Sequence, residues 1–215
     1  MERCPLCRAD NRDTLHASSP SGGGYLHCNT CDLIYVTFDG ILSPAEEQSR
    51  YLTHDNTHEN AGYVDMLTRF IERTVTPHIS TGKALEFGCG PGPVLADLLE
   101  ARGFSVSLYD PYFAPDPGPL DCTYDIVTST EVLEHVTDAR SLWDRLRQLV
   151  KPGGYLAITT RFHPGPDAFA EWWYRRDPTH IRFYSRNTIR WAAAEYDWDL
   201  LLLDDRDTAT LRRPR

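Results

Sequence analysis

The chain has 215 residues, of which 41% are hydrophobic, and it carries a formal net charge of -9 at pH 7. This length buries roughly 70% of the unfolded chain's surface, which suffices for one sizeable domain and a small appendage. The negative charge makes nucleic acid an unfavourable partner, because it would repel a phosphate backbone. No apolar run approaches the ~20 residues of a membrane span, and the start of the chain has no signal-peptide core, so we expect a cytoplasmic protein without a membrane partner.

Cysteines dominate the first part of the chain, where two C-x-x-C pairs comprise Cys4, Cys7, Cys28 and Cys31. In a reducing compartment two such pairs favour a tetrahedral zinc site, because each pair places two thiolates on one turn. Two disulfides or a redox pair are the alternatives, but the compartment disfavours the first and a redox pair needs only one C-x-x-C at a helix start. Residues 1–40 contain too few apolar side chains to fold without the metal. We therefore predict a zinc ribbon over residues 1–40, with a structural or substrate-covering role.

A polar connecting segment follows over residues 41–59. Ser43 and Pro44 should begin a short helix there, by capping and by proline in the first turn. Helical spacing of apolar residues then predicts a helix from 60 to 75 that packs on a sheet. The apolar positions of this helix are Tyr63, Met66, Leu67, Phe70, Ile71 and Val75.

A glycine-rich turn joins a short buried strand at 83–87 to a helix at 93–102. Glycine lets the chain turn sharply there and brings bare backbone close to a ligand. The glycines are Gly88, Gly90 and Gly92. A pyrophosphate ligand is disfavoured, because Pro93 stands where that fingerprint needs a third glycine, and Pro91 and Pro93 have no N–H to donate.

The next strand, 104–109, leads to Asp110, which follows Gly88 by 22 residues. This is the spacing expected of an acid that binds ribose hydroxyls. Glu86, the glycines and Asp110 resemble the E-x-G-x-G-x-G loop and the ribose acid of class I S-adenosylmethionine (SAM) dependent methyltransferases. SAM carries no phosphate, so the prolines do not count against it.

The resemblance covers about residues 60–205 and implies an α/β, Rossmann-like, mostly parallel sheet with an antiparallel last strand over residues 60–215. It implies that the acid and the glycine loop face the amino-acid end of SAM, and that the segment before the first helix folds over SAM as a lid. Tyr51 and Tyr63 are candidates for that lid contact. The cofactor-binding residues it implies are Glu86, Gly88, Gly90, Gly92, Asp110, Ser129 and Thr130.

The chain departs from this family after Asp110. Only residues 111–124 separate the second strand from the fourth, and they contain Pro111, Pro115, Pro117 and Pro119. We predict that the intervening helix is missing and that strand three is vestigial or lost. Asp121 is then the candidate for the acid that contacts the adenine amine.

The remaining elements are predicted in the family's order. A strand at 124–129 precedes a helix capped by Asp138, and Lys151-Pro-Gly-Gly154 ends that helix before a strand at 155–160. A helix at 187–196 and a closing hairpin complete the sheet. Residues 162–185 are rich in aromatic side chains, which would either line an acceptor pocket or cover the sheet edge.

The last motif is Glu131-x-x-Glu134-His135, which leaves the fourth strand where open α/β folds bind ligands. With His180 it is similar to the residues that hold a divalent cation in ubiquinone-pathway O-methyltransferases and in small-RNA 2′-O-methyltransferases. Two carboxylates and two imidazoles suit manganese, iron or zinc better than magnesium. His135 or His180 acting as a metal-free base, or a purely structural role, are the alternatives.

These observations predict an enzyme that moves a methyl group from SAM to a small-molecule acceptor, at oxygen first and carbon second. The zinc ribbon could instead be an interaction module in front of a degenerate SAM domain. RNA 2′-O-methylation is a further alternative, which the net charge opposes. The sequence does not indicate whether the chain forms oligomers.

Overall fold

The computed structural model describes residues 3–53 and 56–215 of the chain. Its strands are β1 (Arg12–Ser18), β2 (Gly24–Cys28), β3 (Ile34–Val36), β4 (Gly82–Phe87), β5 (Phe104–Tyr109), β6 (Tyr124–Thr130), β7 (Val150–Thr159), β8 (Arg182–Phe183), β9 (Asp199–Leu203) and β10 (Thr208–Arg212). Its helices are α1 (Pro44–Tyr51), α2 (Ala61–Thr74), α3 (Val94–Glu100), α4 (Ala139–Leu149), α5 (Pro166–Phe169) and α6 (Arg186–Glu195). None of the described helices combines the length and the apolar character needed to cross a membrane.

The large sheet has the strand order β5-β4-β6-β7-β10-β9. The first four strands run parallel, and β10 lies antiparallel between β7 and β9. This confirms the predicted Rossmann-like sheet with an antiparallel ending. The strand β7 begins at Val150, so the Lys151-Pro-Gly-Gly154 segment is part of the strand rather than a turn before it.

The strand-three region is shortened as predicted. In the described residues between β5 and β6 there is one isolated bridge, Asp110 to Ala114, and one 3-10 turn, Gly118–Asp121. Proline cannot donate to a ladder or continue a helix, and four prolines fall in this segment. The strand β5 is therefore the edge of the sheet.

Helices cover both faces of the large sheet. Leu67, Phe70 and Ile71 of α2 pack with α3 on one face, whereas α4 and α6 pack on the other. Alternation along the strands divides the side chains, as at Ala84 and Leu85 of β4, which point into different clusters. One prediction for α2 is wrong: Met66 is 48% exposed and lines the cavity instead of the core.

The N-terminal residues form a second sheet with the order β1-β2-β3-β8. Its first three strands are antiparallel and come from the predicted ribbon, but β8 comes from the segment that follows His180. Cys4, Leu6 and Leu33 are buried in the same cluster as Trp143 and Leu156 of the large domain. The ribbon thus contacts the large domain in two ways, through the pairing of β3 with β8 and through this buried cluster.

The connecting segment contains α1, which begins at the predicted position. The carboxylate of Glu46 accepts hydrogen bonds from the backbone and the hydroxyl of Ser43, and Pro44 occupies the first turn. This capping fixes where the helix starts. Residues 54 and 55 of the segment lie outside the described residues.

Candidate active site

A cavity of about 1100 Å3 lies at the carboxyl ends of β4, β5 and β6. One side is formed by the glycine loop and the residues after β5, and the other by the residues after β6 and the segment 173–180. The helix α1 contributes Glu47, Arg50 and Tyr51 to the wall. The cavity is large enough for two ligands of moderate size.

The glycine-loop side centres on a buried acid. Glu86 is 4% exposed, and its Oε2 atom has no hydrogen-bond partner among the described residues. Burial raises the pKa of this carboxyl to about 8. Gly88 and Gly90 have φ angles of +80° and +64°, and a Cβ added at Gly88 would collide with the side chain of Val132. Glycine is therefore required where the chain turns over this acid.

Asp110 connects the glycine loop to the loop that follows β5. Its Oδ2 atom accepts from the backbone N–H of Gly90 at 3.0 Å, and its Oδ1 atom accepts from Tyr112 and Phe113 at 2.8 and 3.1 Å. An ionised carboxylate offers about four acceptor positions, so Asp110 can accept a further bond from a ligand hydroxyl. Three features fit SAM. The Oε2 atom of Glu86 without a partner and the bare backbone of the glycine loop suit its amino-acid end, and the carboxylate of Asp110 suits its ribose.

The structure leaves three of the predicted cofactor residues off the cavity wall. Gly92 is needed for another reason, because a Cβ there would collide with the backbone oxygen of Asn56. Asp121 is exposed in its 3-10 turn, and Ser129 is buried within β6. Thr130, the last residue of β6, does line the cavity. Glu86, Gly88, Gly90 and Asp110 line it as well.

On the other side of the cavity, Glu134 and His135 lie on the 3-10 turn Leu133–His135, and His180 lies beside them. One ligand atom of each residue falls within 4.8 Å of the others. The rings of His135 and His180 are 4.9 Å apart, centroid to centroid. The structure thus brings His180 next to Glu134 and His135, although His180 follows Glu134 by 46 positions in the sequence.

Backbone carbonyls orient both imidazoles. The Nδ1 atom of His135 lies 3.0 Å from the oxygen of Thr179, and Nδ1 of His180 lies 2.8 Å from the oxygen of Tyr174. A carbonyl only accepts, so each neutral ring carries its proton on Nδ1 and presents Nε2 as a lone-pair donor. Burial lowers the pKa of His135, which favours that neutral form. The two Nε2 atoms and the carboxylate of Glu134 are the donor types that a transition metal or zinc requires.

Tyr174 joins the two carboxyl groups of the motif. Its hydroxyl lies 2.8 Å from Oε2 of Glu131 and in short contact with Oε1 of Glu134. Glu134 is fully buried, and burial raises its pKa to about 7. A phenol has one proton to donate, so the contact with the second carboxyl is satisfied when that carboxyl carries a proton. Sequence reasoning placed Tyr174 only among the aromatic residues of the acceptor segment, because nothing in its spacing indicates a partner.

Comparison with known proteins identifies the family. The sequence model described as "Methyltransferase domain" matches residues 56–203. The chain belongs to this methyltransferase family. Its fold is that of the class I SAM-dependent enzymes.

Curated relatives of the methyltransferase include the mitochondrial ubiquinone biosynthesis O-methyltransferase of Schizosaccharomyces pombe, which is 31% identical over 127 residues, or 47% of this chain and 45% of the relative. The corresponding enzyme of Pseudomonas aeruginosa is 31% identical over 102 residues, or 36% of this chain and 44% of the relative. The chain spans less than half the length of these curated relatives.

Solved structures share the fold at low identity. Human N-acetylserotonin methyltransferase in complex with SAM has a TM-score of 0.54 and 14% identity, over 80% of this chain and 57% of that chain. A SAM-dependent methyltransferase from Mesorhizobium loti has a TM-score of 0.51 and 15% identity, over 72% of this chain and 99% of that chain.

In the methyltransferase, α1 lies against both sides of the cavity. Glu47 accepts hydrogen bonds from Tyr51 at 2.5 Å and from Tyr112, next to the Asp110 turn, at 2.6 Å. Arg50 donates twice to the carboxylate of Asp177, at 3.1 and 2.8 Å. The ring of Tyr51 stands edge-on to His135 at 5.2 Å and lies 5.9 Å from the ring of Tyr112, so it contacts both sides of the cavity.

The four cysteines of the methyltransferase meet at the base of the ribbon. The Sγ atoms of Cys4 and Cys31 are 3.6 Å apart, those of Cys7 and Cys28 are 3.4 Å apart, and all four lie within 4.8 Å of one another. Zn–S bonds of about 2.3 Å in a tetrahedron place the sulfurs about 3.8 Å apart. The four sulfurs therefore fit a closed zinc site, and none of them is in a disulfide.

Proposed function

We propose that this methyltransferase moves the methyl group of SAM to an oxygen atom of a small-molecule acceptor. One observation carries the proposal: the glycine loop with Glu86 and Asp110 lines the same cavity as His135 and His180, and Glu134 is buried beside these two histidines. Methyl transfer is an in-line displacement, so the protein must hold the acceptor atom beside the methyl group and exclude water. A shared cavity provides that alignment.

We assign SAM to the side of the cavity that is formed by the glycine loop and Asp110. The Oε2 atom of Glu86, which has no partner among the described residues, is available to the ammonium group of SAM, and Asp110 is available to the ribose hydroxyls. Opposite charges and charge-assisted hydrogen bonds favour both contacts. The two acids would thus fix both ends of the ligand that carries the methyl group.

We assign the acceptor to the side of the cavity that contains His135 and His180. There the acceptor hydroxyl must lose its proton as it attacks the methyl group. Nε2 of His135 is a base within the cavity wall, and the carbonyl of Thr179 holds its ring in the neutral tautomer that can take that proton. In the alternative arrangement, Glu134, His135 and His180 would hold a divalent cation of the manganese, iron or zinc type, and Glu131 would be joined to Glu134 through Tyr174. Such a cation lowers the pKa of a bound hydroxyl. The relatives named as O-methyltransferases support oxygen as the accepting atom.

The first experiment measures SAM binding by calorimetry and S-adenosylhomocysteine release with a panel of catechols, phenols and enolisable carbon acids. We expect SAM binding, and turnover with hydroxyl acceptors but not with carbon acids. Absence of SAM binding at millimolar concentration would refute the proposal and favour a degenerate SAM domain. Turnover confined to the carbon acids would replace oxygen with carbon.

The second experiment separates metal from base. Activity is assayed after chelation that leaves one zinc per chain, and again with Mn2+, Fe2+ or Zn2+ restored. Loss on chelation and recovery with one ion would establish a cation at Glu134, His135 and His180. Full activity after chelation, together with inactivity of His135→Ala, would establish the histidine as the base.

A further inference from the structure

The ribbon strand β3 is paired directly with the segment that carries His180. Ile34 pairs with Phe183 and Tyr35 with Arg182 across the two strands. The N–H of Val36 donates to the carbonyl of Ile181 at 2.9 Å. The residue after His180 is therefore tied by its backbone to the ribbon.

The same residue is tied to the motif after β6. The N–H of Ile181 donates to the carbonyl of Glu134 at 2.8 Å. One residue thus links Val36 of the ribbon on one side with Glu134 on the other. The backbone of Glu134 is therefore hydrogen-bonded to the ribbon through the single residue Ile181.

Arg182 reinforces this link with its side chain. It is 3% exposed, and its guanidinium donates to the carbonyl of Thr137 at 3.1 and 2.7 Å. The same group reaches the carbonyl of Val36 at 3.4 Å and that of Ile181 at 2.8 Å. A planar fork with five donors can bridge these carbonyls at once, whereas a lysine ammonium acts as a point charge.

Side-chain packing follows the same route. Tyr25, Ile34 and Val36 of the ribbon share a buried cluster with Tyr174 and Phe183. The ring of Tyr25 stands 5.8 Å from that of Phe183, edge to face. Tyr174, which contacts both glutamates, therefore packs in a cluster that the ribbon helps to form.

The SAM side of the cavity contacts the ribbon through side-chain packing. Leu85, Phe87 and Tyr109 pack with the cluster that includes Cys4 and Leu33 of the ribbon. On the opposite face of β4, Ala84 packs with α2 and α3, and among the described residues that cluster includes none from the ribbon. Because Ile181 bonds directly to Val36 and to Glu134, disturbance of the ribbon should affect His180 and Glu134 more strongly than the glycine loop.

We propose that the zinc ribbon, through β3 and Arg182, positions the backbone of Glu134 and His180, so that the zinc controls the acceptor side of the cavity more strongly than the SAM side. Arg182 is accordingly a positioning residue. The meaning for catalysis rests on the function proposed above, but the mechanical link is tested independently of turnover.

Hydrogen exchange of the full chain tests the link, with zinc bound and after zinc release by a chelator. Release should speed exchange at least tenfold in residues 34–36, 134–137 and 180–183, and by a much smaller factor in residues 84–90 and 104–110. Faster exchange confined to the ribbon, with 134–137 and 180–183 still protected, would overturn the proposal. Equal acceleration in residues 84–90 and 134–137 would overturn the claimed preference for the acceptor side.

A variant that keeps the zinc tests the same link without risk from the ribbon unfolding. Arg182→Met should retain one zinc per chain and bind SAM within about twofold of wild type, yet exchange faster at 134–137. It should also shift the Nδ1–H signals of His135 and His180 in imidazole 15N spectra, while leaving the Nε2–H signal of His58, which faces the Asp97 carboxylate, in place. Arg182→Lys should restore these signals only in part.

The matched control is Arg102→Met, because Arg102 also donates to a backbone carbonyl, that of Leu98, but lies after α3 and outside the cavity wall. It should leave the signals of His135 and His180 unchanged. Unchanged signals in Arg182→Met would reject the positioning role. Failure of the wild type to bind SAM would instead reject the proposed function and leave the exchange result standing.

Discussion

Glu86 is a buried acid, and its proposed partner is the positively charged ammonium group of SAM. The ionisation of Glu86 should therefore be measurable through the pH dependence of SAM binding. Burial raises the pKa of its carboxyl to about 8, from an ordinary value of 4.5. Between these values the folded chain binds more protons than the unfolded chain, so this residue makes the free energy of unfolding fall as the pH rises through that window. The same proton must leave before the carboxylate can pair with the SAM ammonium.

We therefore expect SAM affinity to rise with pH up to about 8, by at most about tenfold per pH unit. Glu86→Gln should bind SAM weakly and without this rise. The check is calorimetry from pH 6 to 8.5 on both proteins. A pH-independent affinity in the wild type would show that Glu86 does not face the ammonium group.

Asp110 carries a second prediction at this scale. Asp110→Ala removes the acceptor proposed for the ribose and releases the N–H groups of Gly90 and Tyr112. We expect SAM binding to weaken by about 1.5 to 3 kcal/mol. Asp116→Ala is the control, because Asp116 accepts from Gly118 in the same loop and lies outside the cavity wall. Equal affinities in wild type and Asp110→Ala would remove Asp110 from the cofactor site.

At the scale of elements, the pattern of the sequence predicts what is local. The strands β4, β5 and β6 are short apolar runs bounded by turn residues, and the proline-rich segment after Asp110 excludes a helix for a stated steric reason. The strand β8 has two residues, so it has no periodicity to detect, and its partner β3 lies far away in the sequence. The contacts of Glu47 and Tyr174 are likewise tertiary, which is why sequence reasoning missed them.

The helix α1 provides the prediction at this scale. Arg50→Ala removes the paired hydrogen bonds to Asp177 while the Glu47 contact with Tyr112 remains. We expect the KM of the acceptor to rise several-fold, with SAM affinity nearly unchanged, because Asp177 lies on the His180 side. Arg69→Ala is the control, since Arg69 pairs with Asp65 on the exposed surface of α2. A change in SAM affinity alone would place the effect of α1 on the other ligand.

At the scale of the whole molecule, the ribbon is part of the core. Leu6, Leu33 and Tyr35 are fully buried beside Trp143 and other side chains of the large domain. Burial of a large apolar side chain is worth about 1.5 to 3 kcal/mol, and several would be lost together. The chain should thus unfold in one thermal transition, and residues 41–215 alone should bind a hydrophobic dye and melt at a lower temperature than the full chain. Two separate transitions in the full chain would show an independently folding ribbon.

The pairing of β3 with β8 also sets an order of events during synthesis. The cysteine pairs emerge first and can bind metal while the rest of the chain is still being made. The outer edge of β3 then waits for Phe183, near the far end of the chain, before its backbone groups are paired. Closing so long a loop is slow, and an open strand edge invites pairing with other chains. The ribbon therefore begins folding early, and its sheet is among the last parts of the molecule to be completed.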